Sequence, residues 1–229
     1  LQEIAQFWLS KTKLDQSDHR YTIDQVMGPD EFHENYPNAE STGLANNAYT
    51  NLMVTWLFNQ LAQIRQGLKP ATIHTVDAKT GVTAETLTQF NDVSHHLKLD
   101  INADNIIGQF EGYFKLPRLD FTKYRAKYGD ISRMDRILKA EGKTPDAYQV
   151  AKQADALMIF YNLDAPQVMG LLKQLGYPLP SQALAKNLQF YLDRTTHGST
   201  LSRIVYAALT AMACNMDQSW QLFSQALFS

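Results

Sequence analysis

One helical run constrains the fold more than any other feature of the sequence. From Ala45 to Gln66 the spacing predicts a long helix, and its middle, LMVTWLF, is apolar on nearly every side. A helix that is apolar all round is buried on more than one side. The run Thr200 to Cys214 is similar, because Arg203 is its only charge. Two such helices need other elements around them, so we predict an inner and an outer layer of helices.

Most of the remaining chain also has helical spacing, and no stretch alternates clearly enough to predict a strand. Proline and glycine interrupt residues 67–81, and residues 104–130 are predicted to form an ordered, aromatic loop. The further predicted helices are Leu1 to Leu14, Thr83 to Leu97, Ser132 to Ala140, Pro145 to Tyr161, Asp164 to Gly176 and Ser181 to Arg194. We therefore predict an all-α protein with about eight or nine helices.

Composition and charge exclude several classes of function. The chain has 21 basic and 23 acidic residues and no long basic run, so nucleic acid is not predicted as a partner. No apolar stretch approaches the length of a membrane span, and the start, LQEIAQFWLSKTK, has no signal-peptide pattern, so no membrane contact is predicted. The single cysteine, Cys214, excludes an internal disulfide, and a cytoplasmic location is the simplest expectation.

The segment GPDEFHE brings three carboxylates and an imidazole together after a Gly28-Pro29 turn. A carboxyl held apart from water, best placed at Glu31 beside Phe32, would stay protonated and could act as a general acid. The alternative is a solvated acidic loop. His33 could be a hydrogen-bonding loop residue, and no other histidine stands at ligand spacing from it, so we predict no metal site.

A second candidate site lies where the sequence RTTHGST enters the helix that begins near Thr200. Gly198 permits close backbone approach, neighbouring hydroxyls can donate, and a helix N-terminus presents free N–H groups. His197 with Arg194 would add positive charge. The segment therefore suits an anion such as phosphate, although an ordinary helix cap would use the same residue types.

Four motifs together resemble a known family. They are VMGPDEFHE followed by NNAYTN, then FEGYF from Phe110, KQAD from Lys152, and RTTHGSTLSR from Arg194. The residues of these motifs and the order of the motifs along the chain resemble those of glycoside hydrolase family 65. This family comprises the inverting phosphorylases of maltose, trehalose and kojibiose and their hydrolytic relatives. The resemblance covers nearly the whole chain.

The resemblance implies an (α/α)6 barrel, in which twelve helices form two rings. Residues 1–229 would be a single domain, the C-terminal portion of that barrel. The chain begins inside an amphipathic pattern at Leu1 and stops after the helix-like run Trp220 to Phe228, as a piece of a longer enzyme would. An earlier barrel segment is therefore an expected partner, and a homodimer is implied as possible.

The resemblance also implies roles for individual residues. Glu31 matches the general acid, and Lys152 with Gln153 matches a pair that binds glucosyl hydroxyls; Glu111 is a weaker candidate for sugar binding. The expected phosphate-binding residues are His197, Gly198, Ser199 and Thr200. No cofactor is expected beyond inorganic phosphate as a co-substrate.

The nucleophile decides between phosphorolysis and hydrolysis. An inverting hydrolase needs a second carboxylate to activate water, and HGSTLS offers none. Asp193 could serve as a base, but its position in the preceding predicted helix favours a surface role. We expect inverting phosphorolysis of an α-glucosyl disaccharide to β-glucose 1-phosphate and a free sugar. A hydrolase of the same family, or an inactive helical fragment, is the alternative, and the particular disaccharide is left open.

Overall fold

The computed structural model describes residues 1–228, which form eleven α-helices and one two-stranded hairpin. In that range no helix combines the length and the apolar character needed to cross a membrane. The elements are α1 (Gln2–Lys11), β1 (Thr12–Asp15), β2 (Arg20–Ile23), α2 (Ala48–Gln66), α3 (Pro70–Thr80), α4 (Ala84–His96), α5 (Phe121–Tyr128), α6 (Met134–Ala140), α7 (Asp155–Asn162), α8 (Ala165–Gln174), α9 (Ala183–Leu192), α10 (Thr200–Met212) and α11 (Met216–Leu227).

Helix α2 is the inner helix that the apolar run predicts. Its buried side chains include Leu52, Val54 and Phe58, and it packs against α1, α4, α7 and α8. The helix begins after Asn47, whose side-chain oxygen accepts a hydrogen bond from the backbone N–H of Thr50 at 2.9 Å. This cap satisfies one of the donors that a helix N-terminus leaves free.

Helix α7 is a second inner helix, and its start differs from the prediction. Residues 155–160 are all buried, and α7 contacts α2, α8, α9 and α10. The predicted helix Pro145 to Tyr161 is wrong in its first half, because only one 3₁₀ turn, Pro145–Ala147, precedes an extended stretch. The backbone of Ala151 in that stretch pairs with residues 194–196, and this long-range pairing replaces local helical hydrogen bonds.

Helix α10 is not buried on all sides, contrary to the prediction. Val205 and Leu209 are buried, and α10 packs against α7, α9 and α11. Leu201 and Ile204, by contrast, are 44% and 40% exposed. Arg203 is partly exposed as well. An apolar composition shows which residues can be buried, whereas the neighbours present decide which of them are.

The structure has more helices than the predicted eight or nine because two lie in segments predicted to be irregular. Pro70 stands in the first turn of α3 and Gly81 provides its left-handed C-terminal cap at φ 71°. These two residues bound the helix rather than interrupt it. Helix α3 buries no side chain, so it lies on the surface and needs no apolar stripe. Helix α5 lies within residues 104–130 and buries only Tyr124.

A hairpin replaces the end of the predicted first helix. Helix α1 ends at Lys11, and the two strands pair antiparallel from Thr12 opposite Ile23 to Asp15 opposite Arg20. The Asp15 carboxylate accepts a hydrogen bond from the backbone N–H of Ser17 at 2.9 Å, which stabilises the turn.

Two groups of buried side chains form the core. The larger group joins α2, α4, α7, α8, α9 and α10. The smaller group lies around α5 and α6 and comprises Phe32, Leu119, Tyr124, Ile131, Met134, Leu138 and Val150. Because Phe32 belongs to it, this smaller core supports the turn that carries Glu31.

Candidate active site

Three segments that are distant in sequence meet at one site. They are the turn 28–33, the extended stretch 148–155 and the loop 194–200. The N–H of Ala151 donates to the carbonyl of Arg194 at 2.8 Å, and the N–H of Thr196 donates to the carbonyl of Ala151 at 2.9 Å. The N–H of Lys152 donates to the Asp30 carboxylate at 3.0 Å, which ties the first segment to the second.

Glu31 faces solvent in this arrangement. Its side chain is 65% exposed, and Oε2 lies 2.6 Å from Nζ of Lys152, whose side chain is 18% exposed. The expected shielding of Glu31 by Phe32 is wrong, because Phe32 points into the smaller core. The structure does bring the predicted acid into direct contact with Lys152, one of the three predicted sugar-binding residues.

Gln153 connects the turn 28–33, which carries Glu31, to the predicted phosphate-binding loop 194–200. Its Nε2 donates to the carbonyl of Pro29 at 2.9 Å, and its Oε1 accepts from the Ser199 hydroxyl at 3.4 Å. Lys152 and Gln153 therefore lie between Glu31 and the loop, with one side chain directed to each.

A buried carboxylate anchors the turn beneath Glu31. Asp30 Oδ1 accepts from the N–H of Phe32 at 3.3 Å as well as from Lys152, and its Oδ2 lies 3.4 Å from Nδ1 of His33. His33 Nε2 lies 2.9 Å from the carbonyl of Tyr148, to which it donates. His33 is thus a buried hydrogen-bonding residue of the loop, which is one of the two roles that the sequence allowed.

A second buried carboxylate, Asp155, lies below the first. Its Oδ1 accepts from the N–H of Asp30, and its Oδ2 accepts from Nδ2 of Asn47 at 2.8 Å. Burial, with the nearby Asp30 carboxylate, raises the pKa of Asp155 well above its usual value. Gly28 packs directly on this pair, because an added Cβ would overlap both Asp155 and Asn47.

The loop before α10 has the geometry of a capped helix start. The Ser199 hydroxyl accepts from the N–H of Ser202 at 3.2 Å, and His197 lies in the left-handed region at φ 53°. Gly198 is needed for packing, since an added Cβ would overlap the carbonyl of Ser132. Thr200 is exposed. All four predicted phosphate-binding residues therefore stand together at the N-terminus of α10.

The charge at this loop differs from the sequence expectation. Burial, together with the nearby charges of Arg203 and Arg125, lowers the pKa of His197 to about 4. The imidazole is therefore neutral at neutral pH, and the expectation that it adds positive charge is wrong. The positive charge close to the loop belongs to Arg203 and Arg125.

Arg194 serves the scaffold rather than the loop surface. It is buried, its Nη1 donates to the carbonyl of Phe190 at 2.7 Å, and its Nε donates to Gln149 at 2.9 Å. The guanidinium also lies 3.5 Å from the centre of the Phe190 ring. These contacts hold the extended stretch beside α9.

We expect His197→Asn to reduce the loss of stability in acid. Between the unfolded pKa of 6.5 and the folded pKa of about 4, the unfolded imidazole binds a proton that the folded one does not. The free energy of unfolding should therefore fall as the pH drops from 7 to 4, by on the order of 2 kcal/mol from this residue. Asparagine tolerates a positive φ. Urea unfolding of both proteins across this pH range measures the difference; parallel curves would contradict it.

Comparison with known proteins identifies the family. The description "Glycosyl hydrolase family 65 central catalytic domain" matches residues 1–229. The chain belongs to glycosyl hydrolase family 65. It is 45% identical over 228 residues to the trehalose 6-phosphate phosphorylase of Lactococcus lactis subsp. lactis, and 27% identical over 228 residues to the kojibiose phosphorylase of Halothermothrix orenii.

These family 65 relatives are much longer than the chain. The matches cover 99% and 98% of the chain, but only 28% and 26% of the two relatives. The solved structure titled "Putative kojibiose phosphorylase from human microbiome" matches 96% of the chain over 29% of its own length. Its TM-score is 0.73 at 22% sequence identity. This likeness, together with the family match, confirms the predicted all-α class and partial helical barrel.

The predicted sugar-binding residue Glu111 and the alternative base Asp193 both lie outside the cluster. Glu111 contacts Lys98 and Asn46 and borders a separate cleft with Asp100, so its role in sugar binding stays a prediction. Asp193 is exposed at the end of α9 and accepts from Gln189 at 3.4 Å, which agrees with a surface role.

The buried residues that support the site were not predicted from the sequence. Asp155 ends the KQAD motif and Asn47 belongs to the NNAYTN motif, yet neither was predicted to support the site. The signal available in the sequence was that Asp155 is a carboxylate inside a family motif and next to an apolar helical run. Its partner, Gln109, accepts from the N–H of Asp155 at 2.6 Å and lies outside all four motifs.

Proposed function

We propose that this domain carries out reversible, inverting phosphorolysis of an α-glucosyl disaccharide to β-glucose 1-phosphate and a free sugar. The observation that carries the proposal is the bridge formed by Lys152 and Gln153. It places a solvent-facing carboxyl, Glu31, at one end and a capped helix N-terminus, residues 197–200, at the other. An acid on one side of a glycosidic bond and an anion site on the other are what inverting phosphorolysis requires.

Glu31 would donate its proton to the departing glycosidic oxygen as the bond from the anomeric carbon to that oxygen breaks. A phosphate oxygen forms the new bond to the same carbon from the opposite face. The contact with Lys152 occupies one oxygen of the Glu31 carboxyl group, so Lys152 must move before that oxygen can face the departing oxygen. Sugar hydroxyls that accept from Lys152 would release Glu31, which couples substrate binding to the acid.

The loop supports phosphate as the nucleophile. Between His197 and Thr200 it contains hydroxyl, imidazole and backbone N–H groups and no carboxylate. Phosphate is already anionic and needs no general base, whereas water does. The neutral His197 can hydrogen-bond an anion, and Arg203 contributes the nearby positive charge.

The complete enzyme forms part of this proposal. Since the domain spans about a quarter of the curated relatives that it matches, we propose that an earlier segment completes the barrel and adds sugar contacts. The exposed apolar side chains of α10 offer a surface against which such a segment could pack. A homodimer and a cytoplasmic location stay predictions. Activity is therefore to be measured on the complete gene product.

The disaccharide is of the trehalose, maltose or kojibiose type. The relative with 45% identity is a trehalose 6-phosphate phosphorylase, and the relative with 27% identity is a kojibiose phosphorylase. The first of these names makes a phosphorylated disaccharide a candidate alongside the neutral ones.

We expect product formation to require inorganic phosphate. A panel of these disaccharides, neutral and 6-phosphorylated, would be incubated with and without phosphate, and proton NMR would show glucose 1-phosphate in the β configuration. His197→Ala should raise the KM for phosphate by about tenfold, since it removes one hydrogen bond to the anion, and should change the KM for disaccharide little. Equal rates without phosphate, yielding free glucose, would establish a hydrolase instead.

A further inference from the structure

An open cleft of about 640 Å³ begins at Glu31 and extends along α6. Arg136 and Lys139 line it, three residues apart on one face of α6, and both are exposed. The lining includes none of residues 197–200. The cleft therefore reaches the acid from a direction other than that of the phosphate loop.

Most charged groups that line this cleft already have partners. Asp135 accepts two hydrogen bonds from Arg133, at 3.0 and 2.6 Å. Asp146 accepts from the N–H groups of Glu34 and Asn35 at 2.8 and 3.1 Å. These two carboxylates are thus engaged in holding the walls of the cleft.

Three ionic side chains of the lining remain open to a ligand. Lys143 is bound to Glu141 at 2.7 Å, and Glu31 to Lys152. For Arg136, Lys139 and Glu34, residues 1–228 provide no ion pair and no side-chain hydrogen bond. Two of these three side chains are cations, so Arg136 and Lys139 are the groups in the cleft that are free to donate to an anion.

We propose that Arg136 and Lys139 bind a phosphate monoester on the leaving sugar, so that the substrate is a disaccharide with a 6-phosphorylated acceptor unit. This inference rests on the proposed function, because it places the leaving sugar in the cleft beside the acid. In an inverting reaction the leaving group departs on the side of the acid and the nucleophile enters from the opposite face. A guanidinium and an ammonium are the side chains that bind phosphate oxygens most strongly.

The test uses a double variant, Arg136→Ala with Lys139→Ala, in the complete gene product. We expect kcat/KM for the 6-phosphorylated disaccharide to fall at least about tenfold, through loss of two charge-assisted contacts. The value for the neutral disaccharide should change less than twofold. A charge-conserving exchange, Arg136→Lys with Lys139→Arg, should restore most of the loss.

The matched control is Lys173→Ala with Lys186→Ala, which removes two exposed cations from α8 and α9. It should leave both substrates unaffected. If this control lowers kcat/KM as much as the cleft variant does, the effect is one of net charge and the proposal fails. The proposal also fails if Arg136→Ala with Lys139→Ala lowers kcat/KM equally for the neutral and the phosphorylated substrate.

A binding measurement separates this inference from the proposed function, since it needs no turnover. Glucose 6-phosphate and glucose would be titrated calorimetrically in saturating inorganic phosphate, which occupies the nucleophile loop. Tighter binding of glucose 6-phosphate, lost in the cleft variant, supports the inference even if no disaccharide is cleaved. Equal affinity for the two sugars, or an unchanged affinity in the cleft variant, overturns it even if phosphorolysis is observed.

Discussion

Glu31→Gln should lower the turnover of natural disaccharides by about 100-fold or more in the complete gene product. The amide keeps the shape of the side chain and its reach towards Lys152 but has no proton to give to the departing oxygen. The KM for disaccharide should change little, because the loss is confined to the transition state. Initial rates of glucose 1-phosphate formation at saturating phosphate would measure the effect.

Glu34→Gln is the matched control for this substitution. Glu34 is also exposed and lines the same cleft, three residues further along the turn. Its replacement should leave turnover within about twofold, since no proton transfer depends on it. A substrate with a fluoride leaving group needs little protonation, so Glu31→Gln should recover most of its activity on glucosyl fluoride. Turnover of natural disaccharides near the wild-type rate would remove Glu31 from the role of acid.

Gly28→Ala should have the largest effect on stability, a loss of about 3 kcal/mol in the free energy of unfolding. The added methyl group would overlap the Asp155 carboxylate and the Asn47 amide. Both groups are buried, and they hydrogen-bond each other. Any shift that makes room separates them or releases the N–H of Asp30, and a buried polar group without its partner is costly.

Gly170→Ala provides the comparison. Gly170 lies inside α8, and an added Cβ there meets nothing within 4 Å. Alanine favours the helix over glycine, so this variant should be as stable as the wild type or more stable by up to about 1 kcal/mol. Urea unfolding followed by circular dichroism would measure both variants. A Gly28→Ala protein as stable as the wild type would mean that the contact between Gly28 and Asp155 does not constrain the turn.

Local sequence patterns predicted the elements whose stability is local. The inner helix α2 and the start of α8 at Asp164 agree with the prediction, since the caps formed there by Asn47 and Asp164 need only neighbouring residues. The patterns failed where a long-range contact decides the conformation. Residues 148–154 are predicted to be helical, but the stretch is extended and its Ala151 pairs with residues 194–196 instead.

The candidate site shows the same division. Family motifs located Glu31, Lys152 and the loop 197–200 in the sequence, and the structure joins them through short contacts. The charge state of His197 could not be predicted from its sequence neighbours, because its pKa depends on burial and on Arg125, which is far away in the chain. Helical spacing likewise could not place Arg136 and Lys139 beside Glu31.

By itself, the sequence determined that this protein is built from helices in two layers, that it belongs to family 65, and which residue types occupy the turn 28–33 and the loop 194–200. These properties follow from composition, periodicity and motif, which tertiary contacts do not alter. Only the tertiary structure decided that Glu31 is exposed beside Lys152 and that Asp155 is buried beneath it with a raised pKa. Burial and electrostatic fields are sums over side chains from distant segments, so they exist only once the chain has folded.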